Sequence, residues 1–252
     1  MRLRLLRNAT QRLRYAGHEL LLDPFFAPKH SRPSFAGRSP NPLVPLPCPV
    51  EEILAGVELV IVSHLHSDHF DPEAQRLVPK DLPVFCQPGD EETIRGHGFT
   101  RVEPVADSVT WNGITITRTP GNHGSGAVLE EMGQVSGFIF AAPGEPTVYW
   151  AGDTILYEPV RETIGRFRPD VIVTHSSGAM WKGDGPIVMD AAQTLEVSRI
   201  APGSRVVAIH LDSLDHGEVS REDLRAAARA AGIADGRLLI PADGETLELG
   251  TS

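Results

Sequence analysis

The sequence predicts a layered α/β fold, and two observations lead to this prediction. Short apolar runs typical of strands alternate with patterns of helical period along most of the chain. Strands precede helices in each half, which predicts two sheets face to face with helices outside. The chain has 252 residues, of which 41% are hydrophobic and 22% charged. We therefore expect one globular domain over 1–252, with two smaller domains as the alternative.

The expected elements are short and closely spaced. Strands are predicted at 13–15, 18–22, 59–62, 83–86, 101–103, 109–111, 114–119, 137–141, 147–151, 171–174 and 206–209. Helices are predicted to begin at Pro72 and to occupy 91–97, 159–167, 189–200 and 221–231. Asp71 and Ser220 have the chemistry of N-caps for the first and last of these helices.

A proline-rich loop is predicted over residues 24–49, which contain eight prolines. Proline fixes φ and removes a hydrogen-bond donor, so this segment should be extended and have little regular structure. Loops of this length commonly act as lids or binding loops. A solvated surface excursion is the alternative.

Charge and cysteine content narrow the function classes. Lys and Arg number 23 against 33 Asp and Glu, a formal net charge of −10, which argues against a nucleic-acid partner because that affinity comes mainly from cations on phosphates. Cys48 and Cys86 are too few for a disulfide framework; a single bridge between them is the alternative, which nothing else in the sequence supports. The arginine-interrupted N-terminus lacks a signal pattern, and no apolar run is long enough to span a bilayer. We expect a cytoplasmic protein that acts on a small molecule, without membrane or nucleic-acid partners; a homo-oligomer stays open, with the proline-rich loop as a candidate interface.

The chemically informative stretch is 63–69, directly after the strand predicted at 59–62. Four potential metal ligands fall within six residues there: His64, His66, Asp68 and His69. Imidazole and carboxylate groups together suit zinc and related divalent cations. A His-rich surface turn is the alternative, but the preceding apolar strand would bury the start of the motif. The stretch therefore predicts a metal site.

This H-x-H-x-D-H pattern resembles the signature of the metallo-β-lactamase superfamily. Polar residues after three further apolar strands extend the resemblance: His123 in 119–124, Asp153 in 150–154 and His210 in 207–212. For Asp153 a helix cap is the alternative, and for His210 an accidental strand end. The resemblance covers nearly the whole chain and implies a four-layer αββα sandwich, with two mixed sheets face to face and helices outside.

The resemblance also implies two divalent metal ions, zinc first, with manganese or iron as alternatives. The implied ligands are three residues on the first metal, three on the second and one bridging residue: His64, His66 and His123; Asp68, His69 and His210; and Asp153. A metal-bound hydroxide would be the nucleophile, because coordination can lower the pKa of water to about 7. Asp68 is the implied catalytic residue that helps to move the proton. The implied site charge is slightly positive, which suits an anionic group on the substrate.

Further polar residues lie close to the expected site. His175 and His216 are predicted to orient a ligand or to contact substrate, and His216 is also the rival of His210 as a ligand. Asp212 and Asp215 are candidates for orienting His210, with solvent exposure as the alternative. The glycine-rich stretch 174–185, which contains Trp181, is a candidate pocket wall in which Lys182 meets a substrate anion; a surface loop is the alternative.

The reaction is inferred from one branch of the superfamily. The compact length, the Gly152-Asp153-Thr154 motif and the segment 209–216 look most similar to the L-ascorbate-6-phosphate lactonase-like metal-dependent hydrolases. This similarity implies hydrolysis of a small, anionic lactone-type or ester-type substrate. A small-molecule phosphodiesterase is the first alternative, and a non-catalytic metal-binding module is the second.

Overall fold

The computed structural model describes residues 1–182, 185–234 and 236–250. In these ranges two mixed sheets pack face to face, and helices cover the outer face of each sheet. The predicted two-sheet α/β sandwich is therefore confirmed. No helix of the described ranges has the length and apolar character needed to cross a membrane.

The N-terminal half supplies most of the first sheet. Its elements, in chain order, are β1 (Arg2–Arg7), β2 (Thr10–Tyr15), β3 (His18–Leu22), α1 (Val50–Leu54), β4 (Leu59–Val62), α2 (Pro72–Leu77), β5 (Pro83–Cys86), α3 (Glu91–Gly96) and β6 (Arg101–Pro104). The strand β1 lies outside the predicted strands. It alternates arginine with leucine over its first residues, so that Leu3 and Leu5 face the core.

The C-terminal half supplies the second sheet and returns one strand to the first. Its elements are β7 (Ser108–Trp111), β8 (Ile114–Gly121), α4 (Val128–Met132), β9 (Val135–Ala141), β10 (Val148–Trp150), α5 (Glu158–Phe167), β11 (Val171–His175), α6 (Ala191–Ile200), β12 (Arg205–Ile209), α7 (Arg221–Ala230), β13 (Leu238–Leu239) and β14 (Thr246–Glu248). The last strand, β14, pairs antiparallel with β1.

Each sheet joins an antiparallel part to a parallel part. The first sheet has the order β14-β1-β2-β3-β4-β5-β6 and becomes parallel from β3 onward. The second has the order β13-β12-β11-β10-β9-β8-β7 and is parallel from β10 to β13. Because β8 is antiparallel to β9 and β9 is antiparallel to β10, the strands β8, β10, β11 and β12 all end at the same edge of the second sheet. Loops from that edge can meet at one place.

Alternation along the strands divides the core into layers. Leu20 and Leu22 of β3 pack between the sheets, whereas Leu21 packs outward beneath the helices. The core between the sheets contains Phe138, Trp150 and other large buried side chains. Separate clusters attach α1, α2 and α3 to the first sheet, and α5 and α6 to the second.

Local capping signals are observed where the sequence predicts them. The Asp71 side chain accepts hydrogen bonds from the N–H groups of Glu73 and Ala74 at the start of α2. Ser220 and Asp223 form a complete capping box on α7. The helix predicted from residue 189 begins instead at Ala191, because Asp190 caps it by accepting from the Gln193 N–H.

The segment 24–49 contains no helix or strand, as predicted. One buried cation ties its two ends together. The Arg7 guanidinium donates to the carbonyls of Phe25 and Ala27, at 2.9 Å each, and to that of Val44 at 3.1 Å. It also lies 4.6 Å from the centroid of the Phe25 ring. The path of the loop therefore depends on a side chain of β1.

We predict that Arg7→Met destabilises the protein. The substitution leaves the carbonyls of Phe25, Ala27 and Val44 without their donor, and an unmet buried polar group costs about 1–3 kcal/mol. Urea unfolding should show a loss of about 2–4 kcal/mol. Arg101→Met is the matched control, since that arginine is exposed and its side chain makes no hydrogen bond with the described residues. Equal stability of the two variants would contradict the structural role of Arg7.

Candidate metal centre

Two groups of ligand atoms come together where strands of both sheets end. His64, His66 and His123 form one group, and His69, Asp153, His175 and His210 form the other. Within each group the ligand atoms lie within 4.8 Å of one another. The first group contains the three residues predicted for the first metal. The second contains His69 and His210, together with Asp153 and His175.

The Asp153 carboxylate lies between the two groups. Its Oδ2 is 3.1 Å from Nε2 of His69, 3.4 Å from Nε2 of His123 and 3.9 Å from Nε2 of His64. Its Oδ1 is 3.8 Å from Nε2 of His210. Asp153 is the residue for which the sequence predicts a bridging role, and the structure places its carboxylate within 4 Å of ligand nitrogens of both groups.

Asp23 orients two of these histidines. Its Oδ2 accepts from Nδ1 of His69 at 2.5 Å and from the Ser63 hydroxyl at 2.6 Å. Because that hydroxyl donates to Asp23, its oxygen accepts from Nδ1 of His64 at 2.9 Å. Both imidazoles therefore carry a proton on Nδ1 and turn Nε2 toward the cluster, which is the orientation that metal-binding histidines need.

His123 and His210 are held through the same ring nitrogen. Nδ1 of His123 donates to the carbonyl of Ile187 at 2.7 Å. Nδ1 of His210 lies 3.3 Å from the Ser177 hydroxyl, and its Nε2 lies 3.2 Å from Oδ2 of Asp68. Nε2 is thus the nitrogen that these rings also direct inward.

His175 orients Asp153 from the opposite side. Its Nδ1 lies 2.5 Å from Oδ1 of Asp153, and its Nε2 accepts from the indole N–H of Trp150 at 3.1 Å. An indole N–H can only donate, so Nε2 of His175 carries no proton and Nδ1 must be the donor to Asp153. Both ring nitrogens of His175 are engaged, so this residue contacts Asp153 as a hydrogen-bond donor.

Asp68 completes the cluster at the cavity side. Its Oδ2 lies 3.2 Å from Nε2 of His210 and 3.4 Å from Nε2 of His69. Nδ2 of Asn8, in the turn between β1 and β2, donates to this oxygen and to the backbone carbonyl of Asp68. Asn8 therefore holds the carboxylate against the two histidines.

The electrostatics of the cluster favour neutral imidazoles at His64 and His123 and a protonated imidazole at His69, beside ionised carboxylates. Burial lowers the pKa of His64 well below its ordinary value, and burial lowers the pKa of His123 to about 4. Burial alone would raise the pKa of Asp68 and Asp153, but neighbouring histidines, His69 foremost, hold both well below the usual range. Burial alone would likewise lower the pKa of His69, but the carboxylates of Asp153, Asp68 and Asp23 hold it well above its ordinary value, so a metal ion must displace a proton from this ring when it binds.

The donor set fits divalent cations. Nε2 of His64 is buried and has no hydrogen-bond partner among the residues that the structure describes. A buried nitrogen lone pair without a partner is costly, and the Nε2 atoms of His69, His123 and His210 point inward in the same way. Imidazole and carboxylate ligands in these numbers suit zinc and related metals.

Two predictions about the neighbouring residues are wrong. Asp212 does not orient His210, because it forms an ion pair with Arg221 at 3.1 Å. Asp215 does not orient it either, because its carboxylate accepts hydrogen bonds from the proline-rich segment. The partner of Nδ1 of His210 is instead the Ser177 hydroxyl.

A cavity of about 240 Å³ opens beside the cluster. Its polar lining consists of cluster residues together with Ser67, Glu131 and His216, and its apolar lining is Phe35, Met132, Trp181 and Ile187. The predicted pocket wall at Trp181 is thus found at the cavity. His216 lies in the cavity wall, outside both groups of candidate ligands.

The predicted role of Lys182 differs from what the structure shows. Its Nζ donates to Oε1 of Glu131 at 2.6 Å, and the Trp181 indole donates to Oε2 of the same carboxylate. The ammonium group is therefore neutralised at the rim by an acidic residue. Gly183 and Asp184, which belong to the same glycine-rich stretch, lie outside the described residues.

Asp23, Asn8 and Ser63 are the site residues that sequence reasoning missed. The sequence indicates a turn at Asp23, because a proline follows it. The signal that could have identified it is its place directly after β3, the strand beside β4, which leads into the histidine motif. Asn8 carries no such signal, since a tight turn explains an asparagine equally well.

We predict that His175→Phe weakens metal retention without removing a ligand. The variant loses the donor to Asp153, and loss of such orienting partners typically lowers metal affinity about 10–100-fold. Dialysis against graded chelator followed by elemental analysis measures the effect. The exposed His97 supplies the control, because His97→Phe should retain metal like the parent protein. Undiminished retention by His175→Phe would refute its orienting role.

Comparison with known proteins places this geometry in a family. Residues 18–211 match the family model described as a beta-lactamase superfamily domain. The chain is 34% identical over 247 residues to the UPF0173 protein YddR of Bacillus subtilis (strain 168), with 96% of this chain and 97% of the relative covered.

Solved structures agree over the full length. A possible metal-dependent hydrolase from Veillonella parvula DSM 2008 superposes with a TM-score of 0.95 at 35% identity, covering 99% of each chain. An isothiocyanate hydrolase from Delia radicum gut bacteria superposes with a TM-score of 0.93 at 38% identity, covering 100% of each chain. The chain belongs to the UPF0173 metal-dependent hydrolase family of the beta-lactamase superfamily.

Proposed function

We propose that this protein hydrolyses small, neutral compounds in which an electrophilic carbon is bonded to heteroatoms, with isothiocyanates as the preferred class. The observation that supports this proposal most strongly is the composition of the cavity wall beside the cluster. Phe35, Met132, Trp181 and Ile187 supply apolar surface, and no lysine or arginine is among the described lining residues. Such walls favour a compact organic group without charge.

The same lining argues against the anionic substrate expected from the sequence. Phosphate and carboxylate groups are usually bound by arginine, lysine or arrays of N–H donors. Glu131 adds negative charge to the cavity wall and already neutralises Lys182. A phosphodiester or a phosphorylated lactone is therefore a less suitable substrate for this cavity than a neutral compound. Neutral lactones and esters remain the second substrate class of the proposal.

The similarity to an isothiocyanate hydrolase supports the choice within neutral substrates. That relative shares 38% of its residues with this chain over the whole length of both. In an isothiocyanate the central carbon is bonded to nitrogen and sulfur and carries no charge. Hydrolysis breaks the carbon–nitrogen bond: the oxygen of water leaves in carbonyl sulfide, and both protons of water remain on the amine.

We assign the metals to the residues brought together at the strand ends. His64, His66 and His123 would hold one ion, Asp68, His69 and His210 a second, and Asp153 would bridge them. When bound, zinc or a similar ion supplies Lewis acidity and lowers the pKa of coordinated water. Asp23 and His175 keep the histidines and Asp153 in their ligating orientations.

The chain itself supplies proton transfer and substrate orientation. Asp68 lines the cavity, and Asn8 holds its Oδ2 in place, so we assign to this carboxylate the transfer of a proton from water to the leaving nitrogen. Phe35 and Trp181 hold the organic group of the substrate and exclude bulk water from its surroundings. Ile187 fixes His123 through its carbonyl and adds apolar surface to the same wall.

A substrate panel tests the proposal. Protein purified without added metal is analysed for metal content and then assayed with alkyl isothiocyanates, neutral lactones and esters, and bis-p-nitrophenyl phosphate. We expect turnover of isothiocyanates with release of the amine, and weaker turnover of lactones. Turnover of the phosphodiester alone would replace the proposal by a phosphodiesterase. Bound metal without turnover of any compound would favour a non-catalytic metal-binding module.

We predict that Asp153→Ala abolishes both stoichiometric metal binding and turnover. This carboxylate lies within 4 Å of four candidate ligand nitrogens, so its removal affects both groups of ligands. Elemental analysis and the isothiocyanate assay measure the two effects, and circular dichroism verifies the fold. Asp107→Asn alters an exposed carboxylate and should leave both unchanged. An active Asp153→Ala variant would disprove the bridging assignment.

A further inference from the structure

We propose that Asp215 is a positioning residue that fixes Phe35 as the wall limiting the length of the substrate's organic group. This inference rests on the proposed function and deepens it, because it names the part of the chain that sets substrate size. It assigns a role in substrate selection to the proline-rich segment, which lies far from the metal ligands in sequence.

The Asp215 carboxylate organises the middle of the proline-rich segment. The residue is buried, and its oxygens accept hydrogen bonds from side-chain and backbone donors of a single stretch: Ser34 Oγ, Phe35 N, Ala36 N, Arg38 N, Ser39 N and Asn41 Nδ2. The Asp215 N–H in turn donates to Oδ1 of Asn41 at 2.9 Å. This one carboxylate thus satisfies backbone N–H groups that would pair with a neighbouring strand if the segment belonged to a sheet.

Phe35 extends from this stretch into the cavity wall. Its ring packs edge-on against His216, with centroids 5.0 Å apart and planes at 80°. Phe35 lines the cavity together with His66 and Asp68. Because the Phe35 N–H donates to Oδ1 of Asp215 at 2.9 Å, the carboxylate fixes the backbone from which the ring projects.

The strength of this anchor follows from the number of its donors. Burial disfavours a charged carboxylate, but the hydrogen bonds outweigh burial and hold the pKa of Asp215 well below its ordinary value. Segment 24–49 contains no helix or strand, and Arg7 ties only its ends. Without the carboxylate, the N–H groups of Phe35, Ala36 and Arg38 would need water as their partner, and Phe35 would lose its fixed position.

The part of the wall formed by Trp181 has an independent anchor. Trp181 donates to Glu131 of α4 at 2.6 Å and therefore does not depend on Asp215. The candidate metal ligands are oriented by Asp23, His175, Ser177 and Ile187. Loss of Asp215 should consequently enlarge one side of the cavity and leave metal binding intact.

The test compares Asp215→Ala, Phe35→Ala and the double variant on n-alkyl isothiocyanates from ethyl to octyl. Both single variants should raise kcat/KM for octyl relative to ethyl by about 10-fold or more, because even one methylene group in an apolar pocket contributes a factor of about 10. The double variant should show no further shift, since both changes remove the same wall. Metal content should equal that of the parent. Phe35→Trp, which adds bulk, should shift the preference toward ethyl.

A binding experiment separates this inference from the proposed reaction. The affinity of the purified protein for n-alkyl nitriles of the same chain lengths is measured by ligand-observed NMR. If the parent hydrolyses no isothiocyanate but both variants shift nitrile preference to longer chains, the proposed function fails and the wall assignment stands. If the parent is active and Phe35→Ala shifts the preference while Asp215→Ala does not, Asp215 is not the positioning residue.

Two further variants control for folding. Asp215→Asn keeps the volume of the side chain but replaces one acceptor oxygen by a donor, so it should reproduce the shift if Asp215→Ala does not fold. Asp243→Asn changes a half-buried carboxylate that forms an ion pair with Arg221 and does not contact Phe35. A shift in chain-length preference in Asp243→Asn equal to that in Asp215→Ala would attribute the effect to general destabilisation and overturn the proposal.

Discussion

The hydrogen bonds of the buried Asp23 carboxylate determine the geometry on which the candidate metal centre depends. By accepting from His69 and from Ser63, this carboxylate sets the tautomers of His69 and His64 together. It lies directly after β3, and β3 pairs in parallel with β4, so the register of the sheet places it beside the histidine motif. The register of the sheet therefore determines the tautomers of His69 and His64, and these tautomers give both rings the orientation that metal binding requires.

The second sheet contributes a corresponding arrangement. Trp150, a large side chain of the core between the sheets, donates to His175, which donates to Asp153. The chain of hydrogen bonds runs from the apolar interior to the carboxylate between the two ligand groups. Core packing thus restrains a polar site directly, and the neutral state of His175 is imposed by an indole that can only donate.

The sequence predicts those features that local chemistry encodes. His64, His66, Asp68 and His69 are adjacent in the chain, and strand ends such as those before His123 and His210 are visible as apolar runs followed by a polar residue. The two-sheet sandwich follows from the same alternation. Asp71 and Ser220 cap their helices because N-cap preference is a local property.

Other features depend on contacts between distant parts of the chain and could not be predicted. Asp215 binds residues about 180 positions earlier, and nothing near it in sequence indicates those partners, so an orienting role toward His210 was an equally reasonable expectation. The neutralisation of Lys182 by Glu131 has the same origin. Hydrogen bonds of this kind are fixed only when tertiary packing brings the donors and acceptors together.

The hydrogen bonds of the Arg7 side chain have an evolutionary consequence. Because Phe25, Ala27 and Val44 are bound to the same guanidinium, the chain leaves and re-enters the sandwich at one point. Residues between Ala27 and Val44 can then be inserted, deleted or exchanged without displacing either sheet, and doubling the length of such a loop costs only about 0.6 kcal/mol. Homologues that keep these hydrogen bonds can vary this stretch, and with it the cavity wall formed by Phe35, while the candidate metal ligands stay in place.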